Sequence, residues 1–225
     1  MRNQRTQTIV EASLCVALSA ALNLVALRLP INIAGGSISL AMLPIAIIAL
    51  RRGALTGAIA GTTFGLIDLL MEFFILYPAQ VVLDYPLPYL LFGMGVGVFS
   101  TLYYGKPSVI ATPSASASVA QASAAATPSP STSATSFAPT LLQLTRKSAV
   151  ATVAFFVGGT GRFISHVLSG VLFFAEYAGG QNVWVYSLVY NISYLLPSLV
   201  ASAVCAIAIM PVLDRAAPAR SRGAA

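Results

Sequence analysis

Eight polar side chains stand inside or at the edge of strongly apolar runs: Asp68 and Glu72, Asp84 and Tyr85, Arg162 and His166, Tyr186 and Asn191. Carboxylates can hold a cation or a proton, and imidazole, amide and phenol groups can orient a ring that carries donors and acceptors. In a bilayer each such group costs about 2.5 to 3.5 kcal/mol unless it is paired or lines a cavity. Asp68 and Glu72 are spaced i,i+4, as are Arg162 and His166, so each pair occupies one helix face. Counting upward at about 1.5 Å per residue puts Asp68 roughly 22 Å beyond Gly53 and Glu72 roughly 28 Å. From Ser148 the same count puts Arg162 at roughly 21 Å and His166 at roughly 27 Å. Matching depths on two parallel helices predict a ladder, Asp68 with Arg162 and Glu72 with His166. The alternative is that these carboxylates meet interfacial water.

The missing chemistry is as informative. Gly105-Lys106 is followed by Pro107 and has no upstream glycine, so there is no Walker A loop with which to use ATP. A single histidine, no H-E-x-x-H and no serine elbow leave hydrolases without machinery. Cys15 and Cys205 both lie in apolar runs and form neither a disulfide framework nor a metal knuckle. No catalytic residue, metal site or cofactor is therefore expected, and binding or transport is favoured over catalysis.

The elements that must position these groups follow from composition. Of 225 residues 57% are hydrophobic and only 8% charged, too few charges to cover a water-soluble fold, which ordinarily has about 25%. The chain reads as an all-α, polytopic membrane protein in one domain. Six apolar runs emerge, near Ile9 to Leu29, Ser37 to Leu50, Gly53 to Tyr77, Pro86 to Tyr104, Ser148 to Tyr177 and Val185 to Leu213. The second is short. Ten of the 12 basic residues flank the runs on one side, all but Arg28 and Arg162, which predicts six transmembrane helices with both termini cytoplasmic. The basic residues form no patch for nucleic acid, and the bilayer is the expected surrounding. A cleaved signal peptide is the competing reading of the first run, but that run stays apolar through Leu29, longer than a signal core.

Between 107 and 139 every residue except Val109, Ile110, Val119, Gln121 and Phe137 is Ala, Ser, Thr or Pro. Such a tract has too few large side chains to bury a core and is expected to be a disordered cytoplasmic loop, a spacer or a regulatory segment. Gly53, Gly57, Gly61 and Gly65 recur at i+4 and give the third run one bare edge, expected to pack against a neighbouring helix. Ala17 and Ala21, with Ser13 one turn earlier, form a weaker ridge on the first run, suited to contact with another membrane subunit.

Four segments carry a resemblance: Gly35-Gly36-Ser37-Ile38-Ser39-Leu40, Gln80 to Tyr85 (QVVLDY), His166 to Phe174 (HVLSGVLFF) with Tyr177, and Tyr186 to Asn191 (YSLVYN). In that order on six spans, the chain resembles the thiamine-specific substrate-binding (S) component of energy-coupling factor (ECF) vitamin transporters of prokaryotic cell membranes. The resemblance implies thiamine as ligand, with Asp84 as the acidic contact and Tyr85 bonding or packing beside it. It also implies His166 and Phe174 against a ring, and Tyr186 and Asn191 fixing ring orientation. It further implies a transmembrane coupling subunit and two cytoplasmic ATPase subunits as partners, for which the small-residue ridge of Ala17 and Ala21 is the candidate docking edge. Thiamine is an organic cation with two flat rings, which suits aromatic faces, a carboxylate and an amide. Asp84 is shorter than the glutamate usual in the family, and Phe174 stands where tryptophan is often found. The single tryptophan, Trp184, precedes the sixth run and is a candidate lid or interface anchor. An S component for another vitamin or a thiamine precursor is the nearest alternative. A small membrane enzyme acting on a lipid-like substrate, using Asp68, Glu72 and His166, and a purely structural subunit are the more distant ones.

Overall fold

A computed structural model describes residues 4–28, 32–33, 36–104 and 137–216. Each of the six apolar runs contains a helix. Helix α1 is Gln4–Arg28, α2 Met42–Arg52, α3 Ala54–Glu72, α4 Pro78–Asp84, α5 Pro86–Tyr104, α6 Phe137–Phe173 and α7 Val183–Ala216. A two-residue antiparallel pair, β1 (Asn32–Ile33) and β2 (Gly36–Ser37), lies between α1 and α2, and a 3-10 turn, Ala175–Ala178, links α6 to α7. Five stretches are long and apolar enough to cross a membrane, with α4 and α5 together forming one of them. The expected loop from 107 to 139 lies outside the described residues except for 137–139, which form the first turn of α6.

Helix α2 differs from the rest. At 11 residues it is about 16 Å long, roughly half the apolar thickness of a bilayer. Its sequence, MLPIAIIALRR, is apolar on every side until its last turn, as suits a helix surrounded by protein. Met42, Ile45, Ala46, Ile48, Ala49 and Leu50 are all buried there. Gly53 ends α2 at φ 89°, a left-handed conformation that glycine adopts without a steric penalty, and α3 leaves at once in the opposite direction. Arg52 holds the neighbouring end of α1 through a two-point ion pair with Glu11, at 2.9 and 2.8 Å, and Arg51 joins it at 3.5 Å.

The glycines of α3 do pack against a neighbouring helix. A β-carbon at Gly57 would strike the backbone of Gly93, one at Gly61 the carbonyl of Tyr89, and one at Gly65 the carbonyl of Tyr85. Helices α3 and α5 therefore touch backbone to backbone in antiparallel register, which bare edges permit and side chains would prevent. This contact settles where Tyr85 and Tyr89 stand. Pro78 and Pro86 open α4 and α5, where a missing N–H costs nothing. The chain bends between those helices at Tyr85.

Candidate binding site

At the end of the bundle where α3 finishes and α7 begins, the helices separate around a cavity of about 620 Å³. Asn23 from α1, Asp68 and Glu72 from α3, Gln80 and Asp84 from α4, and Tyr89 from α5 line one side. Arg162, His166 and Phe174 from α6, its end and the residue beyond, with Tyr186, Tyr190, Asn191 and Tyr194 from α7, line the other. Each helix reaches the cavity with the polar residues that interrupt its apolar pattern, because these groups find partners only there.

The polar groups form one chain of hydrogen bonds and one charge contact. Asn23 Nδ2 donates to Asp68 Oδ1 at 2.6 Å, and the Tyr89 hydroxyl donates to Asp68 Oδ2 at 3.2 Å. Arg162 Nη2 donates to that same hydroxyl at 3.0 Å, while its guanidinium carbon sits 4.2 Å from the centre of the Tyr89 ring, a cation-π distance. Arg162 Nε faces His166 Nε2 at 3.4 Å, and His166 Nδ1 faces Asp84 Oδ1 at 3.5 Å. Gln80 Nε2 closes the chain by donating to Asp84 Oδ2 at 2.6 Å. Each carboxylate oxygen of Asp68 and Asp84 thus has a partner in the protein.

Aromatic rings make the opposite wall. Tyr186 stacks on Tyr190 at 6.0 Å between centroids, Tyr190 meets Tyr194 edge-on at 5.7 Å, and His166 meets Tyr194 edge-on at 6.4 Å. The i,i+4 spacing of the three tyrosines aligns them along one face of α7. Phe174 stacks with Phe74 at 6.2 Å and touches Tyr177 at 5.8 Å. Asn191 is fixed from both ends: its amide nitrogen donates to the Ser187 carbonyl at 2.9 Å and its oxygen accepts from Tyr194 at 2.9 Å. Among the described lining residues three carboxylates face one guanidinium, so the cavity carries acid and flat apolar surface together. A flat organic cation meets both needs.

Residues 9–217 match the model of the Thiamine transporter protein (Thia_YuaJ) family. The chain belongs to the thiamine transporter family. Thiamine transporter ThiT of Bacillus subtilis (strain 168) is 29% identical over 179 residues, spanning 78% of this chain and 73% of that protein. Thiamine transporter ThiT of Lacticaseibacillus paracasei is 29% identical over 185 residues, spanning 79% and 72%. A solved structure of ThiT from Listeria monocytogenes superposes with a TM-score of 0.69 at 26% identity, covering 94% of this chain and 99% of that one. Like its relatives in the thiamine transporter family, this is a multi-pass membrane protein of a prokaryote and not an enzyme.

Six of the seven residues expected at a ligand site in this thiamine transporter family member, Asp84, Tyr85, His166, Phe174, Tyr186 and Asn191, line the cavity. Trp184 does not. It stands 53% exposed in the first turn of α7, its amide donating to Asn182 Oδ1 at 3.0 Å. Tyr85 is buried and its hydroxyl is tied to the backbone of Phe74, accepting from the amide and donating to the carbonyl at 3.3 Å each. The expected ladder takes a different form. Asp68 reaches Arg162 through the Tyr89 hydroxyl rather than directly, and His166 pairs with Asp84 rather than Glu72. Depth counting placed Asp68 level with Arg162 and Glu72 level with His166, but α5 and α4 supply the groups between and beside them. Sequence reasoning passed over Asn23, Tyr89, Tyr190 and Tyr194. Asn23 carried the same signal as Asn191, an amide inside an apolar run, and the tyrosine spacing on α7 was equally visible.

Proposed function

We propose that this chain is the S component of an ECF-type transporter and captures thiamine in the cavity between α3, α4, α6 and α7. The observation that carries this reading is the pairing of an acidic hydrogen-bonded chain with a wall of aromatic faces in one cavity. In this reading Asp84 accepts from the donors of the aminopyrimidine through lone pairs that Gln80 and His166 leave free. Asn191 orients the same ring, and Tyr186, His166 and Phe174 supply faces for the two rings and the positive charge. Uptake then depends on partners, a transmembrane coupling subunit and two cytoplasmic ATPases, since the sequence has no nucleotide loop. Ser13, Ala17 and Ala21 are exposed on α1, which supports this ridge as the docking edge for the coupling subunit. The basic residues at the opposite end from the cavity, Arg51 and Arg52 among them, support cytoplasmic termini and a cavity facing outward.

Isothermal titration of the detergent-purified chain with thiamine tests the proposal, with riboflavin and biotin as controls. Calorimetry is preferred to Trp184 fluorescence because Trp184 stands away from the cavity wall. Thiamine is expected to bind selectively, and Asp84→Ala to weaken binding by about 30-fold, the loss of about 2 kcal/mol of hydrogen bonding to a charged group. Heat with a control vitamin in place of thiamine would move the assignment to another vitamin, and no heat with any of them would overturn it.

A further inference from the structure

We propose that Arg162 is a positioning residue that fixes the tautomer and orientation of His166, so that the imidazole offers its face rather than its nitrogens to the ligand. The inference rests on the thiamine reading only for what the ligand is. A guanidinium has five donors and no acceptor and stays protonated in proteins. The nitrogen of His166 that faces it, Nε2 at 3.4 Å, must therefore present a lone pair. The ring proton then belongs on Nδ1, which faces the Asp84 carboxylate at 3.5 Å. The other tautomer would set N–H against N–H at Arg162 and lone pair against carboxylate at Asp84. A half-turn of the ring would bring carbon to both places.

Arg162 is itself held. Its Nη2 donates to the Tyr89 hydroxyl, its plane lies near the Tyr89 ring, and Tyr89 is anchored by Asp68, which Asn23 grips from α1. Tyr89 is buried against Phe64, edge-on at 4.6 Å, and its carbonyl lies against Gly61, so this anchor is part of the backbone-to-backbone contact of α3 with α5. The groups around His166 come from three elements: Arg162 on α6, Asp84 on α4, and Tyr194 and Asn191 on α7. Both ring nitrogens are committed to protein, which leaves the π-face, the part suited to a flat cation. The presence of a cation in a site for a cation thereby acquires a purpose, because a hydroxyl or amide at position 162, able both to donate and to accept, would not dictate the tautomer.

The chain contains one histidine, so ¹⁵N-histidine labelling yields the spectrum of this ring alone. In the full-length protein in detergent, couplings to the ring protons distinguish the two nitrogens. Without ligand, the wild type is expected to show a protonated Nδ1 and a bare Nε2. Arg162→Met should give a mixture of tautomers and weaken thiamine binding by about tenfold, and Arg162→Lys, which restores a cationic donor, should recover much of both. Tyr89→Phe removes the anchor but keeps the ring, and should move the spectrum in the same direction to a smaller extent. If Arg162→Met does not fold, Tyr89→Phe decides the matter by itself. An unchanged His166 spectrum in the folded variants would overturn the proposal, even if affinity fell. A wild type that binds no thiamine would overturn the proposed function instead, and the spectrum would still decide the role of Arg162.

Discussion

The two ends of this bundle use the same helices in opposite ways. At the closed end, Gly57 of α3 meets Gly93 of α5, Gly97 meets Ala54, and α2 fills the centre with Ile45, Ile48 and Leu50 at 0 or 1% exposure. Phe92 and Phe155 complete that core edge-on at 5.9 Å. At the open end, α3 carries Asp68 and Glu72, α5 carries Tyr89 in its first turn, and α6 carries Arg162 and His166, all on the cavity wall. Small residues draw backbones together and leave no void. Large polar residues with partners across a gap keep the helices apart. In a bilayer this division has a further consequence, because lipid is as apolar as a protein core and helices gain little from hydrophobic burial alone. Close contact holds the closed end, and a hydrogen-bonded chain organises the open one.

Mutations should separate the two ends. Gly61→Val stands where they join and should have the largest effect: its β-carbon would meet the Tyr89 carbonyl, so both the α3–α5 contact and the anchor of Arg162 are displaced. The expected result is failure to recover folded protein, read by size-exclusion in detergent. Recovery of a monodisperse, thiamine-binding variant would show that the helix contact is not what places Tyr89. Phe155→Ala, in the closed core, should lower stability by about 3 to 5 kcal/mol through a cavity, with thiamine affinity almost unchanged in the folded fraction. A matching loss of affinity would erase the distinction between the ends. Tyr190→Leu is the mildest: half-exposed on the aromatic wall, it should leave stability within about 0.5 kcal/mol and weaken thiamine by about fivefold, the value of one exposed cation-π contact. A stability change larger than its affinity change would place Tyr190 with the structural residues.

Much of the site was legible because the bilayer makes polar residues conspicuous. Asp84, His166 and Asn191 could be singled out since each is expensive in lipid and each lies in or beside an apolar run. The bare edge of α3 was legible for a similar reason: four glycines at i+4 have no use on a lipid-facing surface. Tyr89 was not, because a tyrosine three residues after Pro86 looks like an interfacial aromatic, and only the α3–α5 contact turns it inward. The helical nature of the second run could be read, but its being wrapped by protein on all sides could not be told from its apolar composition, which lipid would satisfy equally.

What the sequence by itself determined is the medium, the position of the apolar runs and the approximate depth of each polar group, since hydropathy and the 1.5 Å rise are properties of the chain alone. Tertiary structure decided the partners. Depth is one coordinate of three, and rotation of each helix about its axis depends on side chains from other helices. For that reason Asp68 reaches Arg162 only through Tyr89, His166 turns to Asp84, and a ladder expected between two helices is a chain across five.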